Sequence, residues 1–320
     1  MLAIRKQLKD QSTLGEYGAD AIRRELKALG HSIPSRRTIG RILERNGQLD
    51  GRKRVRRPPP PRGWYLPELA TRALELDYFD TIEGLAIRGG PHLTILTGIS
   101  LFGGLAACWP ATQISAVTTV TSLIQPWSEW GLPGYAQFDN DNRFTGPRQH
   151  RNAIGRVIRL CLSLNVTPVF TAPNEVGFQA AIESFNARWQ SKVWTRFQFI
   201  GLRDLSRRSE RYITATRMRH AARIEAAPPR AKFPADWQLN LQAKPTGKII
   251  FLRRTNGNGA LEILGNPFVV DKHWVHRLVR AHVDLDHHCI RFFALRRRAP
   301  TDQPLLNEVP YQLPNRHFKE

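Results

Sequence analysis

Residues 131–146 read GLPGYAQFDNDNRFTG, and the way this stretch divides decides the fold. The Gly-Leu-Pro-Gly turn closes one element, Tyr135 to Asp139 reads as a short strand, and an acidic residue stands at its end. Downstream, residues 152–165 read as a helix and 166–171 as a strand. Residues 178–197 read as a second helix with Ile182, Phe185, Trp189 and Val193 on its inner face. Upstream, residues 112–131 place Ala116, Val120, Leu123, Ile124 and Trp127 at helical spacing. Before that helix comes LTILTGISLFGGLAACW, Leu93 to Trp109, inside a span from Arg88 to Glu129 without any intervening Asp, Glu, Lys or Arg. The run falls short of the about 20 apolar residues a membrane helix needs. Gly98, Gly103, Gly104 and Pro110 interrupt or stop it, so it reads as two buried strands around a Gly-Gly turn. ALELDYFD, residues 73–80, supplies a strand ahead of them. Three strands, helix, strand, helix, strand, helix is a mixed α/β order.

The charge is arranged around this middle. The chain has 320 residues, 48 Lys+Arg against 27 Asp+Glu and a net charge of +21. Residues 1–62 carry 16 basic and 6 acidic side chains, residues 63–200 carry 10 of each, and residues 201–320 carry 22 and 11. Two basic arms around a neutral centre suit a polyanionic partner that the arms hold by its phosphates. Cys108, Cys161 and Cys289 lie far apart with no CxxC spacing, which argues for neither a disulfide framework nor a zinc site and suits a reducing cytoplasm. No secretory leader is recognisable, because Met1 to Asp10 leads with charge.

The N-terminal arm is helical. Ile22, Leu26 and Leu29 share one face of a helix that stops at Gly30. Ser35 caps a second helix, residues 36–46, with Ile39, Ile42 and Leu43 inward. Two short helices with a tight connection form a helix-turn-helix, which would present Ser35, Arg36, Arg37, Thr38 and Arg41 to DNA. A plain helical hairpin with a basic solvent face is the alternative. Residues 52–57 (RKRVRR) then run into Pro58 to Pro61, an extended basic linker. In the C-terminal arm, residues 247–295 read as a strand meander with an Asn-Gly-Asn-Gly turn at 256–259. His287 and His288 beside Asp284 and Asp286 read as a polar hairpin turn, since no second ligand pair is spaced to meet them.

Three carboxylates stand out in the neutral middle: Asp77 in the first strand, Asp139 closing the strand quoted above, and Glu183 on the last helix. DNDNRFTG at 139–146 and NEVGFQAAIESFN at 174–186 resemble the integrase core of the DDE transposases and retroviral integrases, in particular bacterial insertion-sequence transposases. The resemblance extends over most of the chain. It implies an N-terminal helix-turn-helix (1–50), a linker (51–65), a ribonuclease-H-like catalytic core with a mixed sheet (66–215), a second linker (216–245), a small C-terminal β-barrel (246–300) and a tail (301–320). Relatives of that family often carry a further helical unit ahead of the first. Two positions depart from the pattern. Asp141 stands where a glycine is usual, and 43 residues separate Asp139 from Glu183 where about 35 are more common.

The resemblance implies Asp77, Asp139 and Glu183 as catalytic ligands of two Mg²⁺ (or Mn²⁺) ions. Carboxylates suit that role because Mg²⁺ takes hard oxygen ligands and keeps open positions for phosphate and water, and two such ions serve an in-line displacement at phosphorus. The implied activity is hydrolysis at an element end followed by attack of the freed 3′-OH on target DNA, by a homo-oligomer assembled on double-stranded DNA in a bacterial cytoplasm. Arg253 and Arg254, with Arg296 to Arg298, would contact DNA from the barrel. Asp80 is the rival to Asp77, three residues on and so on the opposite strand face; the family's spacing favours Asp77. The alternative is a transposase-derived DNA-binding protein that no longer cuts.

Overall fold

The structure, a computed structural model, describes residues 1–49, 63–147 and 150–319. Of the linker expected at 51–65, residues 51–62 lie outside the described residues, and Trp64 and Tyr65 are not linker but buried in the core.

Three helices form the N-terminal unit: α1 (Leu2–Gln11), α2 (Ala19–Ala28) and α3 (Arg36–Arg45). Ile22, Leu26, Ile39 and Leu43 are buried together, with Met1, Ile4 and Leu8 of the first helix packed against them. That first helix went unread because its charges mask an Ile4/Leu8 stripe at i, i+4. Ser35 caps α3 by accepting from the Thr38 amide. Arg5 is buried and donates to the carbonyls of Tyr17 and Gln48, which ties the unit's ends together. Arg196 donates to the carbonyls of Lys9, Asp10 and Ser12, fastening the unit to the rest of the chain.

The central elements are α4 (Pro67–Ala70), β1 (Leu76–Ala86), β2 (His92–Ser100), β3 (Ala106–Ala111), α5 (Ala116–Trp130), β4 (Tyr135–Phe138), α6 (Asn142–Thr145), α7 (Arg156–Ser163), β5 (Thr167–Phe170) and α8 (Ala180–Trp189). A π-helical turn (Gln190–Trp194) extends α8, and α9 (Leu202–Arg219) and α10 (Ala221–Glu225) follow. The remaining strands are β6 (Lys248–Arg254), β7 (Ala260–Ile263), β8 (Asn266–Val269), β9 (Leu278–Asp284), β10 (Cys289–Ala294) and β11 (Leu305–Pro310). β7 and β8 form a separate hairpin, and the other nine strands make one sheet in the order β11-β10-β9-β6-β5-β4-β1-β2-β3. β1, β4, β5 and β6 run parallel to their neighbours in that series, and the flanking pairs are antiparallel.

Each face of the sheet is covered by its own helices. On one face Leu123 and Trp127 of α5 and Val157 and Cys161 of α7 bury against Phe79 and Phe138. On the other, Ile182, Phe185 and Trp189 of α8 and Tyr212 of α9 bury against Leu76 and Tyr78.

The C-terminal strands do not close into a separate barrel; they extend the central sheet. β6 pairs with β5 through Val169–Ile250 and Phe170–Phe251. The rings of Phe138, Phe170 and Phe251 lie side by side across three strands, with centroids 5.9 and 5.2 Å apart. Ile249 and Phe251 enter one face's core and Ile250 and Leu252 the other's. A strand buried on both faces is an interior strand of a layered sheet, which is why KIIFLRR could not be an outer strand of an independent barrel. β11, inside the stretch expected to be a tail, pairs with β10 at the sheet edge. No helix among the described residues is long and apolar enough to cross a membrane.

Candidate active site

Strand alternation sorts the acidic residues of β1 by face. Leu76 and Tyr78 belong to the core under α8, so Asp80 shares their side, while Asp77 shares the side of Phe79 under α5. The structure does not bring Asp77 together with Asp139 and Glu183. Asp77 is 6% exposed and is held in a fork by Arg230, whose Nη1 and Nη2 donate to its two oxygens at 3.0 and 2.6 Å. The Trp127 indole Nε1 donates to the same carboxylate at 3.0 Å. With its charge matched by the Arg230 guanidinium, Asp77 is a structural anchor for the segment after α10, which also bridges Leu132 through Ala231.

Asp80 occupies the position expected of Asp77. The parallel register of β1 and β4 pairs Tyr78 with Gln137, so two residues on it sets Asp80 beside Asp139. One oxygen of Asp80 accepts from the Thr81 amide at 2.8 Å, and the other accepts from Asn186 Nδ2 at 2.8 Å. Asn186 is buried, and its own Oδ1 accepts from the Thr97 hydroxyl of β2 at 2.8 Å. Asn186 sits one helical turn after Glu183 on α8, so the bond that fixes Asn186 to Asp80 also brings the exposed Glu183 to the same patch. Burial pushes the Asp80 carboxyl up to about 6, and the charges of Asp139 and Glu183 add to that rise against the lowering effect of its hydrogen bonds.

The loop after β4 is built from its own side chains. Asp139 accepts from the Asp141 amide at 2.9 Å. Asp141 caps α6 and pairs with Arg143, which also reaches Glu83 and the Thr81 hydroxyl on β1. Its φ is −63°, so the position usually held by glycine requires no left-handed backbone here. Asn140 donates to the Thr171 carbonyl and accepts from Arg253 Nη2 at 2.8 Å. Arg253, expected on a separate barrel, therefore stands on β6 beside this loop, and Arg254 is tied to Glu175 and to the His276 carbonyl. A cavity of about 310 Å³ opens next to Asn140 and Arg253.

Among the described residues, no three His, Cys, Asp or Glu side chains are gathered closely enough to hold a metal ion as they stand. The chemistry of the patch nonetheless fits a divalent cation. Its donors are hard carboxylate oxygens, and the Asp80 carboxyl, raised chiefly by burial, is raised further by the negative charges of Asp139 and Glu183, which such a cation would offset. His287 lies in the β9–β10 turn, where its amide and ring nitrogen face the Asp284 carboxylate.

In the N-terminal unit Ser35, Arg36, Arg37, Thr38 and Arg41 are all exposed on α3 or its cap. Arg36 pairs with Asp20 of α2, and Ser35 and Thr38 are bonded to each other.

No family profile matches the chain, and no curated protein matches it. Among solved structures, it is similar to the BIV integrase catalytic core, at 13% identity and TM-score 0.33 over 44% of this chain and 81% of that one. It is similar to the HTLV-2 integrase catalytic core in complex with magnesium, at 13% identity and TM-score 0.32 over 42% and 81%. A simian T-cell lymphotropic virus intasome in complex with the PP2A regulatory subunit B56 gamma gives 10% identity and TM-score 0.38 over 84% and 90%. Scores this low carry no residue and no activity across; the candidate site stands on its own geometry.

Proposed function

We propose that this chain is a DNA transposase or integrase whose catalytic carboxylates are Asp80, Asp139 and Glu183. The observation that carries the reading is the convergence on one patch of a β1 carboxylate, a carboxylate at the end of the adjacent parallel strand and a carboxylate on the helix crossing them, with Asn186 joining helix to strand. The strand order β3-β2-β1-β4-β5 within the larger sheet agrees with a ribonuclease-H-like core.

Mg²⁺ bound at this patch would supply Lewis acidity to the attacking and departing oxygens of an in-line phosphodiester displacement. Asp80, Asp139 and Glu183 would hold it. The chain's own part is orientation. The Thr81 amide and Asn186 fix both oxygens of Asp80, the Asp141 amide fixes one oxygen of Asp139, and Arg143 fastens the β4–α6 loop to β1. Such fixed ligands leave little reorganisation for the reaction step. Water attacks first at an element end, and the resulting 3′-OH then attacks target DNA. Arg37 and Arg41 on α3 serve the phosphate backbone, and Ser35, Arg36 and Thr38 face the groove. Arg253, beside the acidic loop, is suited to a phosphate near the reacting one. Strand transfer joins two ends, so the working form is a multimer on DNA.

A strand-transfer assay with Mg²⁺ on a duplex carrying the element's end tests the reading. Wild type gives joined product and Asp80→Asn and Asp139→Asn give none; equal product from Asp80→Asn sinks the site. One observation favours the second reading, a DNA-binding protein that no longer cuts: the carboxylates are not closed around a metal position. That reading expects DNA retention on a gel with no product at any divalent ion concentration.

A further inference from the structure

Away from the acidic patch, the structure contains a cavity of about 660 Å³ between α4, the β2–β3 turn, β9, β10 and the segment following β10. Its walls include Trp64, Leu69, Phe102 and Phe293, with two guanidinium groups, Arg72 and Arg280, and no acidic side chain among the described residues. The size falls within the roughly 300–1,000 Å³ of small-molecule sites, and apolar walls with few polar groups are their usual lining.

Arg280 is the unusual member. It projects from an interior strand, is 4% exposed, and donates one hydrogen bond, from Nη1 to the Tyr65 carbonyl at 2.9 Å, while its Nε has no partner. The central carbon of its guanidinium lies 4.8 Å from the centre of the Phe293 ring, a cation–π contact that leaves Nε unsatisfied. The Glu68 carboxylate favours the charged form of Arg280, but Glu68 is exposed and accepts from the Tyr135 hydroxyl. Burial lowers the Arg280 guanidinium to about 10. A buried arginine short of partners is costly unless something pairs with it. Arg72, which also lines the cavity, lies over the Phe102 ring at 4.9 Å. Gln303 donates to the carbonyls of Trp64 and Pro300, closing the rim from the C-terminal side.

We propose that this cavity binds a small organic acid, an aromatic or similarly flat apolar body carrying one carboxylate, with the body between Trp64, Phe102 and Phe293 and the carboxylate turned to Arg280 and Arg72. The aromatic walls take the body and the guanidinium groups take the acid in fork geometry. Nothing in this site is shared with the acidic patch, so it stands whether or not the chain cuts DNA.

Calorimetric titration of the full chain with 1-naphthoate, and with the uncharged 1-naphthamide, tests it. The acid binds saturably at one site per chain, and the amide binds at least tenfold more weakly. Arg280→Gln costs the acid at least tenfold and leaves the amide unchanged. Thr301→Trp, an exposed rim substitution that fills the mouth, costs both ligands at least tenfold and covers the case in which Arg280→Gln fails to fold. Asp80→Asn binds the acid as wild type does. Equal affinity for acid and amide, unchanged binding by Thr301→Trp, or no saturable binding of the acid overturns the proposal.

Discussion

The two faces of β1 treat a carboxylate in opposite ways. Asp77 faces α5, where Arg230 and the Trp127 indole occupy both its oxygens. Asp80, three residues on, faces α8, where it meets the charges of Asp139 and Glu183, and among the described residues its hydrogen bonds come from neutral donors, the Thr81 amide and Asn186. Asp77 is buried and Asp80 half-buried, and the sign of the company separates them further. A carboxylate buried with a guanidinium partner is held as structure, and removing either partner strands a charge. A carboxylate buried beside two others is poised to accept a cation.

The sharpest way to break this comparison is to neutralise each aspartate in turn. Asp80→Asn is expected to remove all Mg²⁺-dependent DNA joining while leaving the protein no less stable at neutral pH, because the lost hydrogen bond is offset by relief of like-charge crowding. Urea unfolding beside the joining assay checks both halves. Asp77→Asn reverses the pattern: Arg230 loses its charge partner in a largely buried site, at a cost of ~3–5 kcal/mol in unfolding free energy. If Asp77→Asn folds with wild-type stability and fails only in catalysis, the assignment of the two faces is wrong.

A smaller effect appears in the pH dependence. The folded Asp80 carboxyl titrates near about 6 against an ordinary value of 3.8, chiefly through burial and then the neighbouring carboxylates. The unfolded chain therefore releases this proton first, so the contribution of Asp80 to stability is present below about pH 4 and is lost as pH rises toward 6. The amount is about 1–3 kcal/mol. Relative to Asp80→Asn, the wild type should lose that much stability between pH 4 and 6.5, and added Mg²⁺ should restore part of it. A difference between the two proteins that stays flat across this range contradicts the crowded face.

Much of the order of elements was legible in the sequence. Alternation and helical spacing located β2 to β5, α5, α7 and α8 with its π-helical extension to within a few residues, since each buries a periodic face, and found β1 but ended it six residues early. The choice between Asp77 and Asp80 was not, although the signal was partly there. Ile182, Phe185 and Trp189 mark the buried face of the helix bearing Glu183, but the sequence does not say which side of β1 that helix covers. Here it covers Leu76 and Tyr78, and alternation then selects Asp80. Asp80 also looked like a strand end, whereas β1 runs on to Ala86. Arg230, 153 residues away from Asp77, has no local pattern that announces a pairing. β6 misled for the opposite reason. KIIFLRR is strand-like in isolation, and only its register with β5 shows that it belongs to the central sheet.

The smallest expected effect concerns the position where glycine is usual. Asp141 adopts φ −63° and ψ 145°, ordinary extended backbone, and its side chain caps α6 while pairing with Arg143. Asp141→Gly keeps the turn accessible but gives up the cap and the ion pair. Glycine in place of an aspartate cap costs a few tenths of a kcal/mol, and a partly exposed pair adds up to ~1 kcal/mol. Arg143 keeps Glu83 and the Thr81 hydroxyl, so the loop stays fastened to β1. Joining activity should fall by no more than a few-fold, with an unfolding midpoint only slightly lowered. Loss of activity as complete as that of Asp80→Asn would mean that Asp141 itself belongs among the carboxylates that meet the cation, and that the crowded face extends two residues further into the loop than its hydrogen bonds suggest.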